Sequence, residues 1–145
     1  MIIIVATDEE YREAKKRWKH KIIIKTGVGG INIIKRLRKI PKWIPIINFG
    51  YAGSKTVPIG SEVSVGMCAK YHPNVQFREP IYKLRGEMLC YTVDDFIDPN
   101  EALKDTIYDM ELAYICALGF KFIKTIKIIS DECNQEQYNK YIKER

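Results

Sequence analysis

Aliphatic runs alternate with amphipathic segments along the whole chain, and this alternation decides the class of fold. Residues 2–6 form a continuous aliphatic run, which is typical of a strand that is buried on both faces. Further runs at residues 21–25, 44–49 and 88–93 indicate strands, and helix-like segments separate several of them. Because strands that alternate with helices favour a parallel sheet, the sequence predicts an α/β fold with a mainly parallel central sheet.

The length of the chain predicts one domain. A chain of 145 residues matches the usual size of a domain, and such a domain buries roughly 68–70% of the surface of its unfolded chain. No apolar run approaches the ~20 residues that span a bilayer, and residues 1–5 lack the basic start of a signal peptide. We therefore expect a single domain over residues 1–145 that is cytoplasmic and has no membrane partner.

The cysteines raise the question of a metal site, and the positive net charge raises that of nucleic-acid binding. No two of Cys68, Cys90, Cys116 and Cys133 form a CxxC pair, so we expect reduced thiols and no metal site. The net charge of +6 is compatible with nucleic-acid binding. However, the densest basic run, at residues 35–42, ends a predicted helix, where cations complement the helix dipole. We therefore expect a solvated helix end and no nucleic-acid partner.

Two loops of small residues follow predicted strands. Residues 26–30 read Thr-Gly-Val-Gly-Gly, and residues 50–54 read Gly-Tyr-Ala-Gly-Ser. Glycines at such positions let the backbone approach a ligand closely, and N–H groups at the start of the helix after the first loop can face an anion. The first loop is not a dinucleotide fingerprint, because its third glycine follows the second directly. Two such loops at one edge of a sheet predict a ligand-binding bed.

Acidic residues stand next to the later strands and at the first helix. Residues 109–111 read Asp-Met-Glu at the start of a predicted helix, and residues 130–131 read Ser-Asp at the end of the next strand. This arrangement brings Glu111 and Asp131 to the same edge of the sheet. Glu10 is either a surface acid that complements the dipole of the first helix, or a carboxylate placed where open α/β sheets bind ligands.

Several other residues allow two interpretations. His72 is a candidate proton shuttle or a hydrogen-bonded loop residue. Phe96 and Ile97, which follow a strand, either pack in the core or form a shelf on which a base stacks. Pro99 predicts the start of a short helix. Residues 74–86 predict a loop or an edge strand, and lysines in the strand at residues 120–129 predict one wetter face, formed by Lys121, Lys124 and Lys127.

Eight short segments occur in an order that is typical of one family. They are Ala6-Thr7-Asp8-Glu9-Glu10, Thr26-Gly27-Val28-Gly29, Asn48-Phe49-Gly50-Tyr51-Ala52-Gly53, Ile59-Gly60-Ser61-Glu62-Val63, Ala69-Lys70-Tyr71-His72, Asp94-Asp95-Phe96-Ile97, Asp109-Met110-Glu111 and Ile129-Ser130-Asp131. Together they cover nearly the whole chain and resemble the nucleoside phosphorylase/nucleosidase superfamily, in particular the bacterial methylthioadenosine/S-adenosylhomocysteine nucleosidases. The resemblance implies a three-layer α/β fold with a mixed, mainly parallel and partly barrel-like central sheet flanked by helices.

The resemblance also implies catalytic roles. Glu10 stands where the nucleosidases of this family keep the acid that activates water. Asp131 matches the acid that protonates N7 of the purine, and Ser130 holds that acid. Glu111 matches the residue that binds the ribose hydroxyls, and Met110 matches the residue that packs under the sugar. We expect an ionised Glu111 and an Asp131 whose pKa is raised by burial.

Other positions match the residues that line the family's binding site. Ala52 and Gly53 correspond to backbone that lines the site, and Gly27 lies in the first small-residue loop. Phe96 corresponds to the aromatic residue on which the base stacks, and the backbone of Ile97 corresponds to the segment that reads the base edge. No cofactor is implied.

The acids near the sugar position favour hydrolysis over phosphorolysis. A phosphorylase needs cations for phosphate, whereas residues 8–10 are all acidic and the two small-residue loops contain no arginine. Arg78 or Arg85 could still reach the site from the middle of the chain. An aspartate at position 131 suits a purine of the adenosine type, whose N7 must be protonated. Phosphorolysis, with phosphate as a second substrate, and nucleoside or nucleotide binding without turnover remain the alternatives.

The chain also departs from the family pattern. It is shorter than typical members, between the first helix and the loop at residues 26–30 and again in the last helix. Tyr51 stands where a small residue is usual, and Ser54 replaces a usual glycine. Because a shortened chain leaves apolar surface to cover, and because the family forms dimers, we expect a homodimer.

Overall fold

The computed structural model describes residues 1–71 and 80–144. In chain order its elements are β1 (Ile2–Val5), α1 (Asp8–Arg17), β2 (Ile22–Lys25), α2 (Gly30–Leu37), β3 (Ile46–Ser54), β4 (Glu62–Val63), β5 (Val65–Lys70), β6 (Tyr82–Lys83), β7 (Met88–Thr92), β8 (Thr106–Asp109), α3 (Leu112–Ala117), β9 (Ile123–Asp131) and α4 (Gln135–Lys143).

The strands form one mixed, mainly parallel sheet. Parallel pairs join β1 to β2, β1 to β3, β3 to β9, β5 to β7 and β7 to β8. Antiparallel pairs join β3 to β8, β4 to β9 and β5 to β6. The long strand β3 pairs with β1, β9 and β8, and β8 joins it only at its last two residues. The N–H of Val65 in β5 also donates to Thr125 Oγ1 in β9 at 2.6 Å, which brings these strands together and makes the sheet partly barrel-like.

Helices cover both faces of this sheet, as the alternation of strands and helices predicts. On one face, Ala14 of α1 and Tyr138 and Tyr141 of α4 pack with aliphatic residues of β1 and β3. On the other face, Ile33 of α2 and Ile115 of α3 pack with a second set of aliphatic residues from the same strands. A third cluster fills the curved part of the sheet between β5, β7 and β9. The three-layer α/β architecture predicted from the sequence is confirmed.

Four local predictions differ from the structure. No helix follows Pro99; residues 99–101 form a turn in which Asp98 Oδ1 accepts the N–H of Asn100 at 2.9 Å, and this local bond competes with helix formation. The segment at residues 50–54 is the second half of β3 and not a loop. The strand predicted at residues 61–69 is divided into β4 and β5.

The fourth difference is Lys127, which does not belong to a wet face. Lys121 and Lys124 are exposed, but Lys127 is 1% exposed. Its ammonium group is buried because it meets a buried carboxylate, which the side-chain pattern of one strand cannot reveal. By contrast, Lys42 fits the expected solvated helix end, since its Nζ donates to the carbonyls of Leu37 and Arg38 at the end of α2.

The segment at residues 74–86 is settled in part. Of residues 74–86, the described part contains the short strand β6, which lies at one end of the sheet and is therefore an edge strand. His72 and Arg78 lie outside the described residues. In the described part of the chain, no helix has the length and apolar character needed to span a membrane.

Candidate active site

A cavity of about 180 Å³ opens beside the carboxyl ends of β1, β3, β8 and β9. Nine of the ten predicted site residues line it, and they come from all parts of the chain. They are Glu10, Ala52, Gly53, Phe96, Ile97, Met110, Glu111, Ser130 and Asp131. Gly27 does not line the cavity; its neighbour Val28 does.

Glu10 is buried, and four hydrogen bonds from backbone N–H groups at the start of α1 and in β3 hold it in place. Thr7 is the N-cap of α1, where its Oγ1 accepts the N–H of Glu10, and Glu10 Oε1 accepts the N–H of Thr7 in return. Oε1 also accepts the N–H of Ala6 at 2.7 Å, and Oε2 accepts that of Tyr51 at 2.9 Å. The interpretation of Glu10 as a surface acid is therefore wrong, because its side chain faces the cavity.

The environment of Glu10 raises the pKa of its carboxyl group. Burial penalises the charged form, and this effect outweighs the hydrogen bonds from the backbone N–H groups of Tyr51, Ala6 and Thr7 and the charge of Lys127, all of which favour it. A carboxylate has about four sites for accepted hydrogen bonds, and three are occupied by backbone donors. One direction remains for a ligand or a water molecule.

Glu111 faces the same cavity from the start of α3. Its Oε2 accepts the N–H of Gly29 at 3.0 Å, so the first small-residue loop contributes to the site through the backbone of Gly29 and the side chain of Val28. Burial, followed by repulsion from Asp109 and Glu10, raises the pKa of Glu111 to about 8. These surroundings favour the protonated form of Glu111, in contrast to the ionised form expected from the sequence.

A buried ion pair lies next to these acids. Lys127 Nζ donates to Asp109 Oδ2 at 3.0 Å, and the two side chains are 1% and 0% exposed. Asp109 also accepts Thr92 Oγ1 at 2.6 Å, the Cys90 thiol at 3.4 Å and the N–H of Leu112 at 2.8 Å. Because four protein groups donate to it, the Asp109 carboxylate has a structural role, and its bond with Leu112 anchors the beginning of α3.

The charges of this pair support each other. Burial alone would raise the pKa of Asp109, but Lys127 and the hydrogen bonds outweigh burial and lower it. Burial alone would lower the pKa of Lys127, but Asp109 and the neighbouring acidic groups, Glu111 and Glu10 among them, raise it. The site thus contains one permanent positive charge beneath Glu10 and Glu111, and sequence patterns did not indicate it.

Asp131 ends β9 on the other side of the cavity. Ser130 Oγ donates to its Oδ2 at 2.8 Å, and the N–H of Asn134 donates to its Oδ1 at 3.0 Å. Burial raises the pKa of Asp131 more than the hydrogen bonds from Ser130, Asn134 and Cys133 lower it. The raised pKa expected for Asp131 is confirmed in direction, and the contact with Ser130 is present as expected.

The small residues of β3 let this strand run against both acids. A Cβ atom on Gly50 would lie 2.6 Å from Glu10 Oε2, and one on Gly53 would lie 2.7 Å from Asp131 Oδ1. The register between β3 and β9 also shifts between Ala52 and Gly53, an irregularity of the kind that re-aims side chains near active sites. The glycines here serve close approach within a strand, and not a turn.

Aromatic and apolar groups form the rest of the wall. The ring of Phe96 lies 5.9 Å from that of Tyr138 in α4, and Ile97 is buried with Val93 and Tyr108. Phe96 therefore lies at the cavity, where a base could stack, while the Ile97 side chain packs in a core cluster that Met110 joins. Core packing describes Ile97, and base stacking on Phe96 stays a prediction.

Several lining residues were not predicted. Tyr138 belongs to the last helix, which looks polar in sequence, and its ring also packs 6.4 Å from that of Tyr51. Tyr51, which stands where a small residue is usual in the family, itself lines the cavity. An aromatic residue about seven positions after Ser130-Asp131 is a weak signal, because only the fold of α4 back over β9 brings it to the site. The other lining residues not predicted are Ala6, Thr7, Val28, Val93, Tyr108, Asp109 and Cys133.

The electrostatic character of the cavity is acidic. Among the described residues, the lining includes four carboxyl groups and no lysine, arginine or histidine. Arg85 lines a different cavity. No group of three or more potential metal ligands occurs in the described part of the chain. The arrangement can donate a proton from Asp131, accept one at Glu10 and bind hydroxyl groups at Glu111.

Among the solved structures with the same architecture are two nucleosidases and a futalosine hydrolase. A variant of MTAN from Chlamydia trachomatis bound to MTA matches with a TM-score of 0.78 and 16% identity, over 99% of this chain and 87% of that chain. The 5′-methylthioadenosine/S-adenosylhomocysteine nucleosidase of Helicobacter pylori matches with a TM-score of 0.76 and 13% identity, over 99% and 90% of the two chains. The futalosine hydrolase of H. pylori matches with a TM-score of 0.75 and 13% identity, also over 99% and 90%.

Sequence comparison adds nothing to this likeness, since the chain matches no protein-family model and no curated protein sequence. The structural likeness covers 99% of the chain at identities of 12% to 16%, which establishes the fold. The resemblance seen in the eight sequence segments is thus confirmed for the fold, and the chain has the nucleoside phosphorylase fold of these nucleosidases.

Proposed function

We propose that the protein hydrolyses the N-glycosidic bond of an adenosine-type purine nucleoside and releases the base. The observation that carries this proposal is the meeting of three buried carboxyl groups with raised pKa, those of Glu10, Glu111 and Asp131, around one cavity. Groups with perturbed pKa values that converge in one cavity are typical of sites of acid–base chemistry.

Asp131 is the general acid in this mechanism. It gives a proton to N7 of the purine, and the C1′–N9 bond then breaks with its electron pair moving to a base that leaves as a neutral molecule. General acid help of this kind contributes roughly 10²–10⁴-fold. The raised pKa keeps more of Asp131 protonated near neutral pH, and Ser130 Oγ holds the carboxyl group in position.

Glu10 is the base and Glu111 binds the sugar. Glu10 takes a proton from the water molecule whose oxygen attacks C1′, using the acceptor direction that backbone N–H groups leave free. Glu111 accepts hydrogen bonds from the ribose hydroxyls. These bonds and the positive charge that develops on the sugar both favour its ionised form, so its pKa, which burial raises to about 8, falls when the substrate binds.

The charge of the cavity supports water as the nucleophile. The described lining contains no cation that would bind phosphate, and Lys127 is already paired with Asp109. A carboxylate about 4 Å from a phosphate charge costs roughly 4 kcal/mol at an effective dielectric of 20. Water carries no such penalty, which favours hydrolysis over phosphorolysis.

The test is release of adenine with and without phosphate. Purified protein is incubated with methylthioadenosine, S-adenosylhomocysteine or adenosine in phosphate-free buffer, and we expect adenine at a rate that added phosphate does not change. Adenine that appears only with phosphate would identify a phosphorylase. Saturable binding in calorimetry without any product would identify a binding protein, and neither binding nor release would refute the proposal.

A matched pair of variants tests the role of Asp131. Asp131→Asn should lower adenine release roughly 10²–10⁴-fold, because an amide cannot protonate N7. Glu132→Gln removes the carboxylate of the next residue, which is exposed, and should keep full activity. An Asp131→Asn protein that is as active as the wild type would show that another group protonates the base.

We also propose that the protein acts as a homodimer. Helix α2 buries Ile33 and Leu37 against the sheet, yet leaves Ile31 and Ile34 72% and 44% exposed on its outer side. Light scattering should give twice the mass of the chain, and Ile31→Lys should shift the protein towards the monomer. A wild-type protein that is monomeric at micromolar concentration would contradict this.

A further inference from the structure

A second, larger cavity lies at the opposite end of the strands from the candidate active site. It borders the beginnings of β3 and β9, and its volume is about 880 Å³. Sites that bind small molecules usually have volumes of ~300–1,000 Å³, so this cavity has the size of a ligand site. The two cavities share no described lining residue, and the function proposed for the first cavity therefore does not account for the second.

The lining of the second cavity is mainly apolar. Ile46, Val65 and Phe120 line it and are 1%, 1% and 6% exposed. Towards solvent the lining continues with the side chains of Ile81 and Phe122, which are 55% and 58% exposed. Exposed large apolar side chains that gather around a concavity mark a surface on which an apolar group of a ligand can be buried.

Basic side chains accompany this apolar lining. Four of them line the cavity from two segments of the chain; they are Lys83, Arg85, Lys121 and Lys124. All four are exposed, and the described lining contains no aspartate or glutamate. A fifth cation, that of Lys42, lies close by, with its Nζ 4.4 Å from the centre of the Phe120 ring. The electrostatic potential at this cavity therefore favours an anion.

Backbone hydrogen bonds hold both basic segments in place. The carbonyl of Phe122 accepts the N–H of Ile46 in β3 at 3.0 Å. In the other segment, the N–H of Leu84 donates to the carbonyl of Gly66 in β5 at 2.8 Å. Because the sheet fixes the backbone that carries the charges, little further ordering of this backbone opposes the binding of a ligand.

We propose that the second cavity binds an anionic amphiphile, a small molecule in which a carboxylate, sulfate or phosphate group is attached to an apolar body. The apolar body covers the lining around Phe120 and Phe122, and the anionic group lies among the four basic side chains. Exposed ion pairs contribute little to affinity, so these cations alone do not hold a small inorganic anion. Burial of the apolar body supplies most of the affinity, and the charges decide the sign of the ligand.

The experiment is a titration of the whole protein with dodecanoate, below its micelle concentration, followed by calorimetry and by hydrogen exchange. We expect saturable binding of one molecule per chain and slower amide exchange in residues 81–85 and 121–125. Dodecyltrimethylammonium, which has the same chain length and the opposite charge, should bind at least about tenfold more weakly. High salt should weaken the binding of dodecanoate, because it screens the exposed cations. Inorganic phosphate, which has no apolar body, should show no saturable binding.

Three variants test the two halves of the ligand separately. Lys124→Glu should weaken dodecanoate binding roughly fivefold, because it reverses one exposed charge. Its matched control is Lys104→Glu, which changes an exposed lysine that lines neither cavity and should leave binding unchanged. Phe122→Ser changes a side chain that is 58% exposed, so the fold should persist, while binding should weaken roughly fivefold through the loss of apolar contact.

Four results would overturn the inference. They are no saturable binding of dodecanoate, equal binding of the two amphiphiles, protection from exchange only at the first cavity, or displacement of dodecanoate by an oligonucleotide. Binding to vesicles of anionic phospholipid without binding of monomeric dodecanoate would also overturn it and assign this face to a membrane. Self-association that Phe122→Ser abolishes, again without dodecanoate binding, would assign the face to a second copy of the chain. Since no readout uses adenine release, the result does not depend on the proposed function.

Discussion

Replacing Lys127 by methionine removes the positive half of the buried Asp109–Lys127 ion pair with little change in side-chain volume. The two side chains are 1% and 0% exposed and their charged atoms are 3.0 Å apart. Removing one partner of a buried pair leaves an uncompensated charge and costs roughly 3–5 kcal/mol. Since a domain is stable by only about 5–15 kcal/mol, Lys127→Met should lose a large part of its free energy of unfolding.

The assay is urea unfolding at several pH values, with a thermal melt as a second readout. At roughly 4 °C per kcal/mol, the melting temperature of Lys127→Met should fall by about 12–20 °C. In the wild type the pKa of Asp109 is lowered, so the pair's contribution is present above the pKa of Asp109 in the unfolded chain and is lost as pH falls through its folded value. In the variant, burial raises the folded pKa of Asp109, so stability should fall as pH rises through neutrality.

Two comparisons separate the ion pair from a general effect of the substitution. Lys124→Met lies on the same strand but is exposed, and should change stability by no more than about 0.5 kcal/mol. The double variant Asp109→Asn/Lys127→Met should regain much of the loss, because no buried charge is left. The reasoning is refuted if Lys127→Met is as stable as Lys124→Met. It is also refuted if the stability loss of the double variant equals the sum of the losses of Asp109→Asn and Lys127→Met alone.

Two further predictions concern the acids at the cavity. Because the folded pKa of Glu111 is raised to about 8, the folded state binds a proton that the unfolded state lacks, and wild-type stability should fall between about pH 4.5 and 8; urea titrations of Glu111→Gln should show a flatter profile, and an unchanged slope would refute this. Gly53→Ala places a Cβ 2.7 Å from Asp131 Oδ1 and 3.3 Å from backbone of Cys133. It should cost roughly 1–3 kcal/mol of stability and most of the adenine release, and full activity would show that Asp131 does not need its observed position.

The class of fold and most of the site follow from local features of the sequence. Continuous aliphatic runs separated by helical segments require a sheet covered on both faces, and that is the observed architecture. Acids and small residues that follow strands meet at one sheet edge, so Glu111 and Asp131 could be placed together there, and the family resemblance added Glu10. The order of the eight segments then suggested their roles.

Some local predictions failed because a longer-range or competing interaction decides the structure. The glycine-rich segment at residues 50–54 looks like a loop, yet it continues β3 because it pairs with β9 and β8. Gly50 and Gly53 are glycines because the carboxyl groups of Glu10 and Asp131 lie against them. The expected helix at Pro99 is replaced by a turn that the Asp98 side chain stabilises.

Only the tertiary structure decided the charge states within the site. Lys127 reads as a solvated lysine in a strand, and its burial becomes possible only because β8 brings Asp109 within 3.0 Å. The pKa of Glu111 rises because folding removes it from water beside two other acids. Desolvation and charge–charge repulsion depend on distances between residues far apart in the chain. The sequence by itself therefore indicated nine of the residues that line the cavity, whereas their protonation, the pairing of Asp109 with Lys127 and the arrival of Tyr138 at the site were decided by the packing of the strands and helices.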